Sequence, residues 1–132
     1  TPRSGELAWA LRRYELGCER PSAYEALTDH LLALRALLEP EGPQSGRLAG
    51  RVAALCAVEE ERAAVTGRIA HAASMERAIV AGLAPADGGV EALLAEVTGH
   101  LRALLRDVLC GHLDSDLRAL ADQLLAESGA AA

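Results

Sequence analysis

Arg106, Asp107 and His112 place a permanent cation, a carboxylate and a titratable imidazole in one short segment around an expected helix end. A guanidinium can stabilise developing negative charge and an imidazole can move a proton near neutral pH, so these three form the chain's candidate catalytic group. The same residues also suit a plain helix terminus, with Arg106 and Asp107 on a solvated face and His112 beside the negative end of the helix dipole. Glu96 and His100 stand at i, i+4, a spacing at which two side chains meet on one helix face. A di-metal carboxylate bundle needs Glu-x-x-His on two helices, and no histidine here has a glutamate three residues before it. Neither a metal nor another cofactor is therefore expected. No serine or cysteine is presented on a sharp turn beside a base. Ser45 and Ser115 read as helix caps instead.

The elements that must position these residues are all helical. Leu7, Leu11, Tyr14 and Cys18 alternate at spacings of four and three and predict a first helix over about Glu6 to Glu19. Pro21 breaks it and can open the next, which spans about Ser22 to Glu39 with Tyr24, Leu27, Leu31, Leu34 and Leu38 on one stripe. Pro40 to Gln44 is a loop, with Ser45 as N-cap of a short third helix, about Gly46 to Ala57, carrying Leu48, Val52 and Leu55. Glu59, Glu60 and Glu61 make an acidic first turn, favourable at a positive helix end. They open a fourth helix to about Val80 with Val65, Ile69, Ala72 or Ala73, and Ile79 inward. After a loop from Leu83 to Gly89, a fifth helix over Val90 to Leu109 turns Leu94, Val97, Leu101, Leu104 or Leu105, and Val108 inward. Gly111 ends it, and Asp114 or Ser115 caps a sixth helix, to about Ala126, that carries Leu117, Leu120 and Leu124. The expected architecture is an all-α, up-and-down bundle of five to six helices forming one domain over residues 1–132. Residues 1–5 and 127–132 are expected to be flexible ends.

Composition fits that picture. The chain is 51% hydrophobic but only 2% aromatic, so its core must be built from Leu, Ala and Val in close helix contacts. All 13 basic residues are arginine, and Lys, Asn and Phe are absent; the codon usage of a high-GC bacterial genome explains this. Arginine richness is then no sign of a phosphate site, and the net charge of −6 disfavours a nucleic-acid partner at long range. Arg12, Arg13 and Arg20 form the nearest basic cluster, diluted by Glu15 and Glu19. Cys18, Cys56 and Cys110 are widely separated, each in an apolar helical pattern, and are expected as buried small side chains in a reducing cytoplasm. A chain with no signal-like start and no apolar run of about 18 residues is expected to be cytoplasmic, with no membrane partner. Its opening on Thr1 rather than Met suggests a domain excised from a larger protein or a processed fragment.

The order of the pieces carries a resemblance. Arg106, an acidic neighbour and His112 are similar to the Arg-x(4-6)-His signature of the HEPN superfamily, and a broader likeness over about Leu7 to Leu109 is to its Apea-like branch. That branch has an aromatic-containing first helix, an apolar helix with Leu-Glu-x-Leu, a polar loop, an Arg-Val-Ala-x-Leu helix, and an acidic helix start leading to Arg-Ser-x-Ile-Val-His-Gly. The corresponding pieces look like Leu34-Arg35-Ala36-Leu37, Ser45, Arg51-Val52-Ala53-Ala54-Leu55, Glu60-Glu61-Arg62 and Glu76-Arg77-Ala78-Ile79-Val80-Ala81-Gly82. The resemblance implies a metal-independent ribonuclease scaffold in which His and Arg from two protomers promote attack of a ribose 2′-hydroxyl on the adjacent phosphate. In this chain the family's Arg falls on Glu76 and its His on Ala81, while Gly82 is kept. Neither an acid nor a methyl replaces the lost groups.

One further difference links two helices. The family's acidic position in Leu-Glu-x-Leu falls on Arg35, so acid and base are exchanged between Arg35 and Glu76, which are expected to face each other in a structural salt bridge. The leading functional expectation is a non-catalytic helical assembly or interaction module, homodimeric or bound to a protein partner; the resemblance adds a defence or toxin-related setting. The alternatives are a metal-independent endoribonuclease with its working pair relocated to Arg106 and His112, or an RNA- or nucleotide-binding module.

Overall fold

The computed structural model describes residues 4–83, 89–113 and 116–131. Asp114 and Ser115, the expected caps of the sixth helix, lie outside them, as does most of the loop after Leu83. The described residues form six helices: α1 (Ser4–Cys18), α2 (Ala23–Leu38), α3 (Leu48–Cys56), α4 (Arg62–Val80), α5 (Val90–Leu109) and α6 (Leu117–Ala131). Short 3-10 turns at Pro43–Ser45 and Glu59–Glu61 precede α3 and α4. Among the described residues there is no strand, and no helix is long and apolar enough to cross a membrane.

α2 is the central element, packing most extensively on α1 and α5 and also touching α3, α4 and α6. Its stripe of Leu27, Leu31, Leu34 and Leu38 is fully buried, and removing each such side chain from water favours the fold by about 2 kcal/mol. α3 packs on α4 and α6. Val52, Ile69, Val97, Leu101, Leu104 and Leu117 complete the innermost layer. Inward positions left open by periodicity resolve to Ala72 on α4 and to both Leu104 and Leu105 on α5, with Leu93 buried more deeply than Leu94.

α1 meets α2 through small residues. Ala10 is fully buried, and a Cβ placed on Gly17 would lie 2.4 Å from the His30 ring. The contact seam therefore runs through Leu7, Ala10, Tyr14 and Gly17, and Cys18, one position on, is turned out to solvent. Cys110 is also exposed, because it follows the last turn of α5. The expectation of three buried thiols holds only in part: Cys56 is half-buried, and burial pushes its thiol up to about 12.

Four helix boundaries differ from their sequence expectations. Glu59, Glu60 and Glu61 form a separate 3-10 turn rather than the first turn of α4. Ser45 does not cap α3. Its hydroxyl donates to Glu39 Oε2 at 2.7 Å, and that same oxygen accepts the N–H groups of Arg47 and Leu48 at 3.0 and 3.2 Å. The Ser45 oxygen also accepts the Arg47 N–H, at 3.3 Å, but the Leu48 N–H is met by the buried glutamate nine residues before it, whose charge suits the positive end of the helix. Neither terminal boundary falls where expected: Ser4 and Gly5 already belong to α1, and α6 continues through residues 127–131. Arg62 Nη1 donates to Ser128 Oγ at 2.7 Å, fixing that last stretch to the start of α4.

Both long helices stop at glycines in the left-handed region, Gly82 at φ 81° and Gly111 at φ 78°. In each case the two N–H groups after the helix return to its last turn: Gly82 to Ile79 and Leu83 to Ala78, Gly111 to Val108 and His112 to Asp107. This double return is the Schellman arrangement, and a Cβ at either glycine would strain it.

Candidate functional site

An open cleft of about 600 Å³ lies between α2, α4 and the loop that precedes α3. α2 builds one wall through Thr28, Leu32 and Arg35, residues spaced to share a helix face. That face lies beside the core stripe. α4 supplies Glu76, Arg77, Val80 and Ala81 from its last turns. Pro43 and Gln44 close the third side. The segment singled out by its resemblance to a ribonuclease motif is therefore one wall of this cleft.

At the floor, Arg35 Nη1 donates to Glu76 Oε1, joining α2 to α4. Both side chains are largely withdrawn from water, with 16% and 5% of their surfaces exposed. Arg35 Nε faces Glu39 Oε1 at 3.6 Å, within ion-pair reach, but has no hydrogen-bond acceptor. One guanidinium thus stands between two buried carboxylates, and Glu39 is further satisfied by Ser45 and the start of α3. Ala81 adds only a methyl to the rim. Gly82 does not line the cleft but ends the helix that does.

The cleft is poor in reactive groups. It contains no imidazole and no thiol among the described residues. The Thr28 hydroxyl donates to the Tyr24 carbonyl at 3.1 Å, one turn back on its own helix. Glu76 is engaged by Arg35. Arg77 alone brings a charge with no carboxylate within ion-pair reach among the described residues.

The other candidate residues lie elsewhere. Arg106 Nε and His112 Nδ1 approach Asp107 Oδ1 at 3.6 and 3.9 Å, so the trio does converge, but loosely. The Arg106 and His112 side chains are 66% and 74% exposed, and neither lines the cleft. Glu96 and His100 are hydrogen-bonded at 3.0 Å, and Glu96 also accepts from Arg68 Nε at 2.6 Å, which holds its carboxyl below the usual range. No group of three metal-ligating side chains is found among the described residues. Of the basic cluster, Arg13 and Arg20 both reach the buried Asp29, at 3.2 and 2.6 Å, and so do not form a free cationic surface.

No family model, curated protein or solved structure matches this chain. Its site must be read from its own geometry. Sequence reasoning missed Thr28, Leu32, Gln44 and Arg77, and the available signal was a second stripe on α2, Thr28, Leu32, Arg35 and Glu39, beside the leucines. It also missed the buried polar groups Asp29, His30 and Glu39. His30 bonds Thr98 Oγ1 at 2.8 Å and the Tyr14 carbonyl at 3.2 Å, tying α2 to α5 and α1. A histidine isolated in sequence gave no sign of those partners.

Proposed function

We propose that this chain is a non-catalytic helical assembly module, homodimeric, on a scaffold resembling the Apea-like HEPN domains. The observation that carries the reading is the occupancy of the two chemical positions: Glu76 is ion-paired with Arg35, and Ala81 offers a methyl where a proton-transfer group is required. Fixing a guanidinium on a buried carboxylate suits a scaffold joint. Among the described residues it leaves no free group lining the cleft to move a proton between substrate atoms.

Assembly is supported by the apolar side chains the bundle leaves uncovered. Val58 and Leu109 are 60% and 57% exposed. Val58 lies two residues past α3 and Leu109 is the last residue of α5, at the end of the bundle where Asp107 acts on the Cys56 thiol. An apolar surface repeated by a two-fold axis gives an isologous contact, the commonest route to a dimer. Sedimentation equilibrium of the whole chain is expected to give a dimer, and Val58→Asp with Leu109→Asp to shift it toward monomer. Incubated with a broad panel of RNAs in the presence of EDTA, the wild-type chain is expected to leave them intact. Cleavage abolished by His112→Ala would establish the relocated Arg106 and His112 pair instead.

A further inference from the structure

We propose that the cleft between α2 and α4 binds a small amphipathic anion, an aliphatic monocarboxylate, with its carboxylate on Arg77 and its chain against Leu32, Val80 and Pro43. This goes beyond the assembly reading and holds for a monomer or a dimer. The volume, about 600 Å³, falls within the roughly 300–1,000 Å³ of small-molecule clefts, which are apolar with a few placed polar groups. The side walls fit that description. Leu32, Pro43, Val80 and Ala81 are all aliphatic, and Val80 is 74% exposed although it borders a concave surface.

The sign of the ligand's charge follows from the partners of each ionisable group in and around the cleft. Glu76 is paired with Arg35. Glu39, behind it, accepts the Ser45 hydroxyl and two N–H groups at the start of α3. These carboxylates are committed within the protein and offer little to a cation. Arg77 is the cleft's uncompensated charge among the described residues, and a guanidinium binds a carboxylate by two parallel hydrogen bonds. One cation also suits a single negative charge better than a phosphate dianion, which Glu76 and Glu39 would repel. Because the walls carry no aromatic ring, the body they fit is an aliphatic chain rather than a stacked base.

The test uses decanoate, decanol and decylammonium, each below its aggregation concentration, titrated into the whole chain by calorimetry and by backbone amide shifts. Decanoate is expected to bind saturably at one site per chain, with shifts confined to α2, the last turns of α4 and residues 40–46. Arg77→Ala is expected to weaken it about tenfold, as for loss of a charge-assisted hydrogen bond, and Arg77→Lys to recover part of that. Val80→Asp, a change at an exposed position, is expected to abolish binding with only a small fall in the thermal unfolding midpoint, that of an acid at the negative end of α4. Decanol and decylammonium are expected to bind at least tenfold more weakly. Equal binding of decanol, undiminished binding by Arg77→Ala, competition by inorganic phosphate, or no saturable binding would each overturn the proposal. None of these readouts depends on whether the chain dimerises or cleaves RNA.

Discussion

Arg35 and Glu76 show how one pair of side chains can be costly to break yet worth little in total. Burying two opposite charges roughly balances desolvation against attraction, whereas removing one partner strands the other. Arg35→Ala and Glu76→Ala are each expected to destabilise the fold by about 3 kcal/mol, and Arg35→Leu with Glu76→Leu to cost far less than the sum. Urea denaturation of the four species in a double-mutant cycle measures this. Equal additivity would mean that the pair has no coupling. The juxtaposition of the two residues was legible beforehand only through the resemblance, which set an acid and a base at exchanged positions. Nothing in the local sequence of either helix locates the other. Arg51 makes the contrast: it donates to the Leu38 carbonyl, Glu41 and Asp122 at 2.7 to 3.1 Å, and holds Glu41 down at about 2. Its sequence neighbours suggest only a helix.

At the scale of the element, helix ends separate into those set by local chemistry and those set by distant groups. Gly82 and Gly111 terminate α4 and α5 through backbone conformations that glycine adopts without strain, and both stops were readable in the chain. The start of α3 was not, because its cap is the Glu39 carboxylate, delivered by the end of α2 across the proline-bearing turn. Glu39→Ala is expected to cost about 1–3 kcal/mol, since it leaves the buried Leu48 N–H with no acceptor, and to cost more than Ser45→Ala. A comparison of the two variants by thermal unfolding checks the order. A larger loss for Ser45→Ala would restore the local cap.

Between neutral and mildly acid pH the whole molecule responds through His30. Burial pushes its pKa below the ordinary imidazole value of 6.5, opposed by the Tyr14 carbonyl and Asp29 and aided by Arg102. The folded chain then binds fewer protons than the unfolded one, so stability is complete above about pH 6.5 and falls as pH drops from there toward the lowered folded pKa. Below that value the loss contributed by His30 stays constant. His30→Gln removes this titration, and its free energy of unfolding is expected to change less between pH 7.5 and 5 than that of wild type. Parallel curves from denaturant titrations would exclude His30 as the source. The helices joined by this histidine, α1, α2 and α5, are expected to loosen together.

The sequence by itself determined that the chain folds as helices, where most of them run, and that α2's leucines form the core, because a 3.6-residue period and glycine's freedom act within a few neighbouring residues. Tertiary structure alone decided which polar groups are buried and by whom they are satisfied: Glu39 at α3, His30 between three helices, Arg51 across α2 and α6. It also decided that the motif segment forms a wall of a cleft with Thr28 and Leu32 of α2. Such pairings depend on the rotation of one helix against another, which small residues such as Ala10 and Gly17 fix through contacts that no local period encodes.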